Sequence, residues 1–134
     1  MSEIILFAAD HNGVEVKDIL MSRLKSKAFK CIDLGPFDSS KKVDYVDYAN
    51  LLCQIIENGD ADRGVLICGT GVGMSIAANR FQNIRAALVH NLITAPKCRE
   101  HNNSNVLCLG SWSTSIEDHI GILGLWMGTD FFFF

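Results

Sequence analysis

The sequence has no run of apolar residues long enough to cross a membrane, which takes about 18 or more. Its opening residues, MSEIILFAADHN, carry no basic n-region, and their apolar stretch is too short for a signal sequence. Nothing in the chain is a cluster of Lys or Arg, and the formal net charge is −3, so a surface built for nucleic acid is excluded. No two of the five cysteines (Cys31, Cys53, Cys68, Cys98, Cys108) form a CxxC pair, and their number is odd. That pattern argues for free thiols in a reducing cytoplasm and against a disulfide scaffold. Four histidines, His11, His90, His101 and His119, show no paired ligand spacing, which argues against zinc.

What remains is 134 residues with 49% hydrophobic and 20% charged side chains, the profile of one soluble globular domain spanning 1–134. Short apolar runs alternate with amphipathic stretches. Ile4 to Ala9 reads as a buried strand, and Val14 to Ala28 as a helix with apolar residues at Val16, Ile19, Leu20 and Leu24. Strands follow at Phe29 to Leu34, Gly64 to Ile67, Arg85 to Val89 and Val106 to Leu109. Helices are expected at Asp44 to Asn58, Met74 to Phe81, Leu92 to His101 and Ile116 to Met127, with Pro96 tolerable only in a first turn. This alternation predicts an α/β fold with a five-stranded parallel sheet covered on both faces.

Ligands of such sheets sit outside the carboxyl ends of the strands. There the first strand delivers Asp10-His11-Asn12-Gly13 and the third delivers Cys68-Gly69-Thr70-Gly71-Val72-Gly73. The glycine loop is not a dinucleotide fingerprint, since Met74 stands where GxGxxG needs its last glycine. It is not a Walker loop, and it lacks the arginine of a cysteine phosphatase. It offers a thiol at the start of a turn whose N–H groups can hold an anion. A base beside an anion hole suits removal of a proton next to a carbonyl, with charge developing on oxygen. A strand-end cysteine is often mere packing; the three glycines weigh the other way, because close ligand approach is the most economical use for them.

DHNG after the first strand, CGTGVGMSIAAN after the third, IRAA on the fourth and EHNNSNVLCLGS leading into the fifth resemble the type B ribose-5-phosphate isomerases, a family that includes galactose- and allose-6-phosphate isomerases. The likeness runs from about Leu6 to Gly128. It implies a Rossmann-like, three-layer α/β/α fold with strand order 2-1-3-5-4. It also implies a homodimer, or a dimer of dimers, whose active sites draw on both subunits. The reaction implied is interconversion of ribose 5-phosphate and ribulose 5-phosphate without metal or organic cofactor. By the same resemblance Cys68 is the base, Thr70 shuttles a proton between the enediolate oxygens, and N–H groups from Gly69 through Gly71 and Val72 to Gly73 hold those oxygens. His101, from the partner subunit, helps to open the furanose ring. Asp10 binds sugar oxygens, His11 contacts phosphate, and Asn102 and Tyr45 contribute at the ring end.

The chain departs from that family where phosphate is bound. Trp112 stands after Gly110-Ser111, where the ribose branch carries an arginine, and the arginine-bearing GGRHxxR tail is replaced by Phe131 to Phe134. The simplest expectation is that the sequence stops short of its natural end. Arg23, Arg63, Arg80, Arg85 and Arg99 occupy none of the family's phosphate positions. Rival expectations are a hexose-6-phosphate isomerase, a non-catalytic sugar-phosphate binding subunit and a nucleotide sensor.

Overall fold

In a computed structural model, which describes residues 3–132, ten elements alternate along the chain. They are β1 (Ile4–Ala9), α1 (Val14–Lys25), β2 (Lys30–Asp33), α2 (Tyr45–Glu57), β3 (Arg63–Cys68), α3 (Val72–Ala78), β4 (Ala86–Leu88), α4 (Thr94–Glu100), β5 (Val106–Gly110) and α5 (Ile116–Gly128). The five strands form one parallel sheet in the order β2-β1-β3-β5-β4. This is the expected Rossmann-like α/β arrangement. The last two phenylalanines, on which the expectation about the chain's end turns, lie outside the described residues.

Alternation along the central strands splits the core into two layers. Ile5, Phe7 and Ala9 of β1, Val65 and Ile67 of β3, and Leu107 and Leu109 of β5 pack with Leu20, Leu24, Ile122 and Trp126 of α1 and α5. Leu6, Ala8, Leu66, Cys68, Val106 and Cys108 point the other way, onto Leu52 and Cys53 of α2 and Met74 and Ala77 of α3. Each fully buried Leu, Ile or Phe here stabilises the fold by roughly 1.5–3 kcal/mol. The same alternation decides where Cys68 points: at the end of β3 it falls on the α2/α3 side.

Local chemistry sets the boundaries, and several differ from the sequence expectations. Helix α1 stops at Lys25 rather than Ala28, because Ala28 takes φ 66 and the chain closes with Phe29 N–H donating to Leu24 O at 3.2 Å. Asp44 lies just outside α2, where its carboxylate accepts from Val46 N–H at 3.0 Å. Strand β3 extends one residue further at each end than expected, taking in Arg63 and Cys68. The largest shift is in α3, expected at Met74 to Phe81. Gly71, at φ 79, serves as its N-cap, so the helix begins inside the glycine loop. It ends early because the Asn79 side chain leaves it to bond Ala86, accepting from its N–H at 2.8 Å and donating to its carbonyl at 2.9 Å. The fourth helix starts at Thr94, not Leu92, since Asn91 Oδ1 accepts from the N–H groups of Ile93 and Thr94.

Candidate active site

β1 and β3 are direct neighbours, with Ala9 paired to Ile67, so the chain steps off both strands side by side. Asp10 N–H then donates to Ile67 O at 3.0 Å, which places Asp10 beside Cys68 at the carboxyl edge. Gly13 closes this loop so tightly that a Cβ there would lie 2.6 Å from Ile67 O. Asp10 is only 6% exposed, and its carboxylate accepts from Asn12 N–H at 2.9 Å. Next to it, His11 Nδ1 accepts from Val43 N–H at 3.2 Å, so the neutral ring carries its proton on Nε2. That bond brings the segment before α2 to the site.

The turn after β3 is held from within and from both sides. Cys68 Sγ accepts from Gly71 N–H at 3.2 Å, and Thr70 Oγ1 accepts from Val72 N–H at 3.3 Å. On one flank the loop after β5 is stitched on: Ser111 N–H donates to Cys68 O at 2.9 Å and Trp112 N–H to Gly69 O at 2.8 Å. On the other flank stands Tyr45, the first residue of α2.

The glycines are not reserved for a ligand, contrary to the sequence reading. A Cβ on Gly69 would meet the Trp112 ring at 2.6 Å, one on Gly73 the Tyr45 ring at 2.7 Å, and one on Gly71 the Leu109 backbone at 2.9 Å. All three positions are needed for packing within the chain, whatever else the turn does.

Position and hydrogen bonding set Cys68 apart from the other four cysteines. Burial pushes Cys53 up to about 12 and Cys108 well above the ordinary thiol value, and Cys31 and Cys98 upward too. Those four stay protonated and fill space. Cys68 alone stands at a strand end with a backbone N–H aimed at its sulfur.

Nine of the expected site residues therefore converge at the carboxyl edge: Asp10, His11, Tyr45 and Cys68 with Gly69, Thr70, Gly71, Val72 and Gly73. His101 and Asn102 do not join them. Both follow α4 and precede β5, whose Val106 pairs with Gly64 while Gly110 pairs with Cys68. They sit at the amino edge, and Arg85, just before β4, donates to Asn102 O at 3.5 Å there. Four residues of strand, about 13 Å, separate the two edges. Tyr45 and Asn102, expected together at the sugar's ring end, are thus apart within one chain.

Sequence reasoning gave no role in the site to three residues at the carboxyl edge. Trp112 covers Gly69, and Ser113 Oγ lies 3.3 Å from His90 Nδ1 at the end of β4. A strand-end histidine such as His90 carried the same signal that singled out His11. Among the arginines, Arg63 is bound by both carboxylate oxygens of Glu3, and Arg99 is bound to the carbonyls of Thr129 and Ser104. These two are committed to structure.

An open parallel sheet with a thiol-bearing, glycine-lined turn at its carboxyl edge defines a class: Rossmann-like α/β proteins that bind a small ligand outside the strand ends. Residues 5–132 match the family model of the Ribose/Galactose Isomerase family, and the chain belongs to that family. It is 39% identical over 127 residues to ribose-5-phosphate isomerase B of Escherichia coli (strain K12), covering 95% of this chain and 85% of that protein. The crystal structure of ribose-5-phosphate isomerase B from Mycoplasma genitalium with bound ribulose-5-phosphate is 42% identical, with a TM-score of 0.89, covering 98% of this chain and 87% of that one. The Clostridium thermocellum ribose-5-phosphate isomerase B gives a TM-score of 0.93 at 36% identity, covering 96% and 86%.

Proposed function

We propose that the protein is an aldose–ketose isomerase that interconverts ribose 5-phosphate and ribulose 5-phosphate by proton transfer through an enediolate. The observation that carries this reading is the Cys68 sulfur held by Gly71 N–H beside Asp10 and Thr70. A relative of 42% identity, solved with ribulose-5-phosphate bound, supports the choice of substrate.

In the open-chain aldose, Cys68 as thiolate removes the proton from C2. The C2–H electron pair forms the C1–C2 double bond, and charge moves to O1. Charge on oxygen is met by N–H groups of the turn. Gly71 N–H serves the sulfur and Val72 N–H the Thr70 hydroxyl, so the oxygens fall to the remaining donors of the stretch from Gly69 to Gly73. The Thr70 hydroxyl moves the proton from O2 to O1, and Cys68 returns its proton to C1, leaving the ketone at C2. Asp10 binds sugar hydroxyls. The Nε2–H of His11 is oriented by Val43 to donate to phosphate.

Ring opening belongs to His101 of the partner subunit in this reading, assisted by Asn102. The position of both residues at the amino edge of their own sheet supports an origin in a second copy. Exposed apolar side chains on α3 and before α4, among them Ile76 at 61% and Ile93 at 75%, favour a homodimer.

Turnover of ribose 5-phosphate by the wild type and by Cys68→Ala tests the proposal. The variant is expected to keep its fold and lose activity by several orders of magnitude; a fully active variant sinks the mechanism. Assays with allose 6-phosphate and galactose 6-phosphate decide between pentose and hexose substrates. Binding of ribose 5-phosphate without turnover by the wild type would instead identify a non-catalytic subunit.

A further inference from the structure

We propose that Trp112 is a substrate-contact residue, whose exposed indole is the apolar wall on which the carbon chain of the sugar stacks while its reacting end lies over the Cys68–Gly73 turn. The inference rests on the isomerase reading and assigns a role to the residue that replaces the expected cation.

Trp112 is fixed in place at its backbone and open at its ring. Its N–H donates to Gly69 O at 2.8 Å, and the preceding Ser111 N–H donates to Cys68 O at 2.9 Å. Gly110, where the loop begins, is packed so closely that a Cβ would lie 2.6 Å from the Thr70 carbonyl carbon. The indole itself rests on Gly69, the residue next to Cys68, with its six-membered ring 2.6 Å from where a Cβ would stand. Despite these ties 71% of Trp112 is exposed, whereas Trp126 is fully buried and donates to Ser104.

A tryptophan that served only to cover Gly69 would bury most of its surface. This one rests part of its six-membered ring on Gly69, the residue after Cys68, and leaves most of its surface open. The next residue, Ser113, lies with its hydroxyl 3.3 Å from His90 Nδ1. An aromatic face suits the C–H side of a sugar and offers nothing to a phosphate dianion. Trp112 therefore favours substrates by their carbon skeleton, and the phosphate grip lies on the His11 side.

The chain has two tryptophans, so emission reads the contact directly. The experiment titrates wild type and Trp112→Phe with ribose 5-phosphate, measuring emission and acrylamide quenching, alongside turnover of wild type, Trp112→Phe and Trp112→Ala. The expected results are a ligand-dependent emission change absent from Trp112→Phe, and protection of Trp112 from quencher by the sugar phosphate. Trp112→Ala should raise KM about five- to tenfold with kcat within about twofold, and Trp112→Phe should restore most of the affinity. Turnover without an emission change, an unaltered KM in Trp112→Ala, or a Trp112 already shielded from quencher without ligand overturns the inference and leaves the isomerase reading standing. A Trp112-dependent emission change with no turnover by the wild type does the reverse.

Discussion

The N–H of Gly71 points at the sulfur of Cys68 from 3.2 Å, and Gly71 itself stands at φ 79 as the N-cap of α3. One residue thus sets the thiol's hydrogen bond and the entry angle of the helix that follows. A left-handed φ is disfavoured for residues with a side chain, and a Cβ here would also press on the Leu109 backbone at 2.9 Å. Gly71→Ala is expected to lower stability by about 2 kcal/mol or more and to cut kcat at least tenfold, since relief requires moving the N–H off the sulfur. Urea denaturation and steady-state kinetics read the two effects separately. An alanine variant of native stability and activity would show that the turn is not held as described.

His101 and Cys68 lie at opposite edges of the same sheet, so a complete site needs two chains in the proposed mechanism. Cys68→Ala and His101→Ala subunits, each impaired alone, are therefore expected to complement when mixed. A hybrid dimer carries both lesions in one site and none in the other. With random exchange, recovery should approach about a quarter of wild-type activity. Refolding the variants together and assaying ribose 5-phosphate turnover measures it. No recovery, with hybrid formation confirmed by a mass tag, would place His101 outside the partner's site.

Most of the architecture was legible because period and punctuation agreed with it. Ile4 to Ala9 and Val106 to Leu109 are continuous apolar runs of strand length, and the structure buries nearly all of their side chains. The turn between β3 and α3 was legible as a glycine-rich loop at the carboxyl edge of the sheet but not as packing. That Gly69 lies under Trp112 and Gly73 under Tyr45 depends on contacts between segments more than 25 residues apart, which no local pattern encodes. The start of α3 was misplaced for a related reason. A glycine loop reads as irregular until the φ of Gly71 is known. His101 illustrates the opposite case: its residue type suited proton transfer, but only the parallel topology puts it at the far edge from Cys68.

Lys17, on α1, is fully buried. Its ammonium meets both carboxylate oxygens of Asp33 at 2.8 Å and lies 5.7 Å from the centre of the Phe37 ring. Asp33 also accepts from Gly35 N–H at 2.8 Å, and Gly35 O accepts from Ala9 N–H at 3.0 Å. The pair thus ties α1 to the loop that borders Asp10. Lys17→Met removes the cation and leaves the largely covered carboxylate uncompensated, at an expected cost of about 3 kcal/mol. Adding Asp33→Asn should recover part of the loss, a coupling that a double-mutant cycle in urea would quantify. Simple additivity of the two single changes would contradict an ion pair.

His119 is fully buried on α5, with Nε2 3.1 Å from Gly110 O, so the neutral ring donates from Nε2 to that carbonyl. Burial holds its pKa below the ordinary histidine value of 6.5, outweighing the opposing pull of the Gly110 carbonyl and Asp118. The unfolded chain therefore binds a proton at a higher pH than the folded chain does. Stability from His119 is full above about pH 6.5 and is lost as pH falls through that value towards the depressed folded pKa. Calorimetric Tm should fall more steeply between pH 7 and pH 5 in the wild type than in His119→Gln, which keeps a donor but cannot take up the proton. Parallel pH profiles for the two proteins would remove His119 as the source of the acid sensitivity.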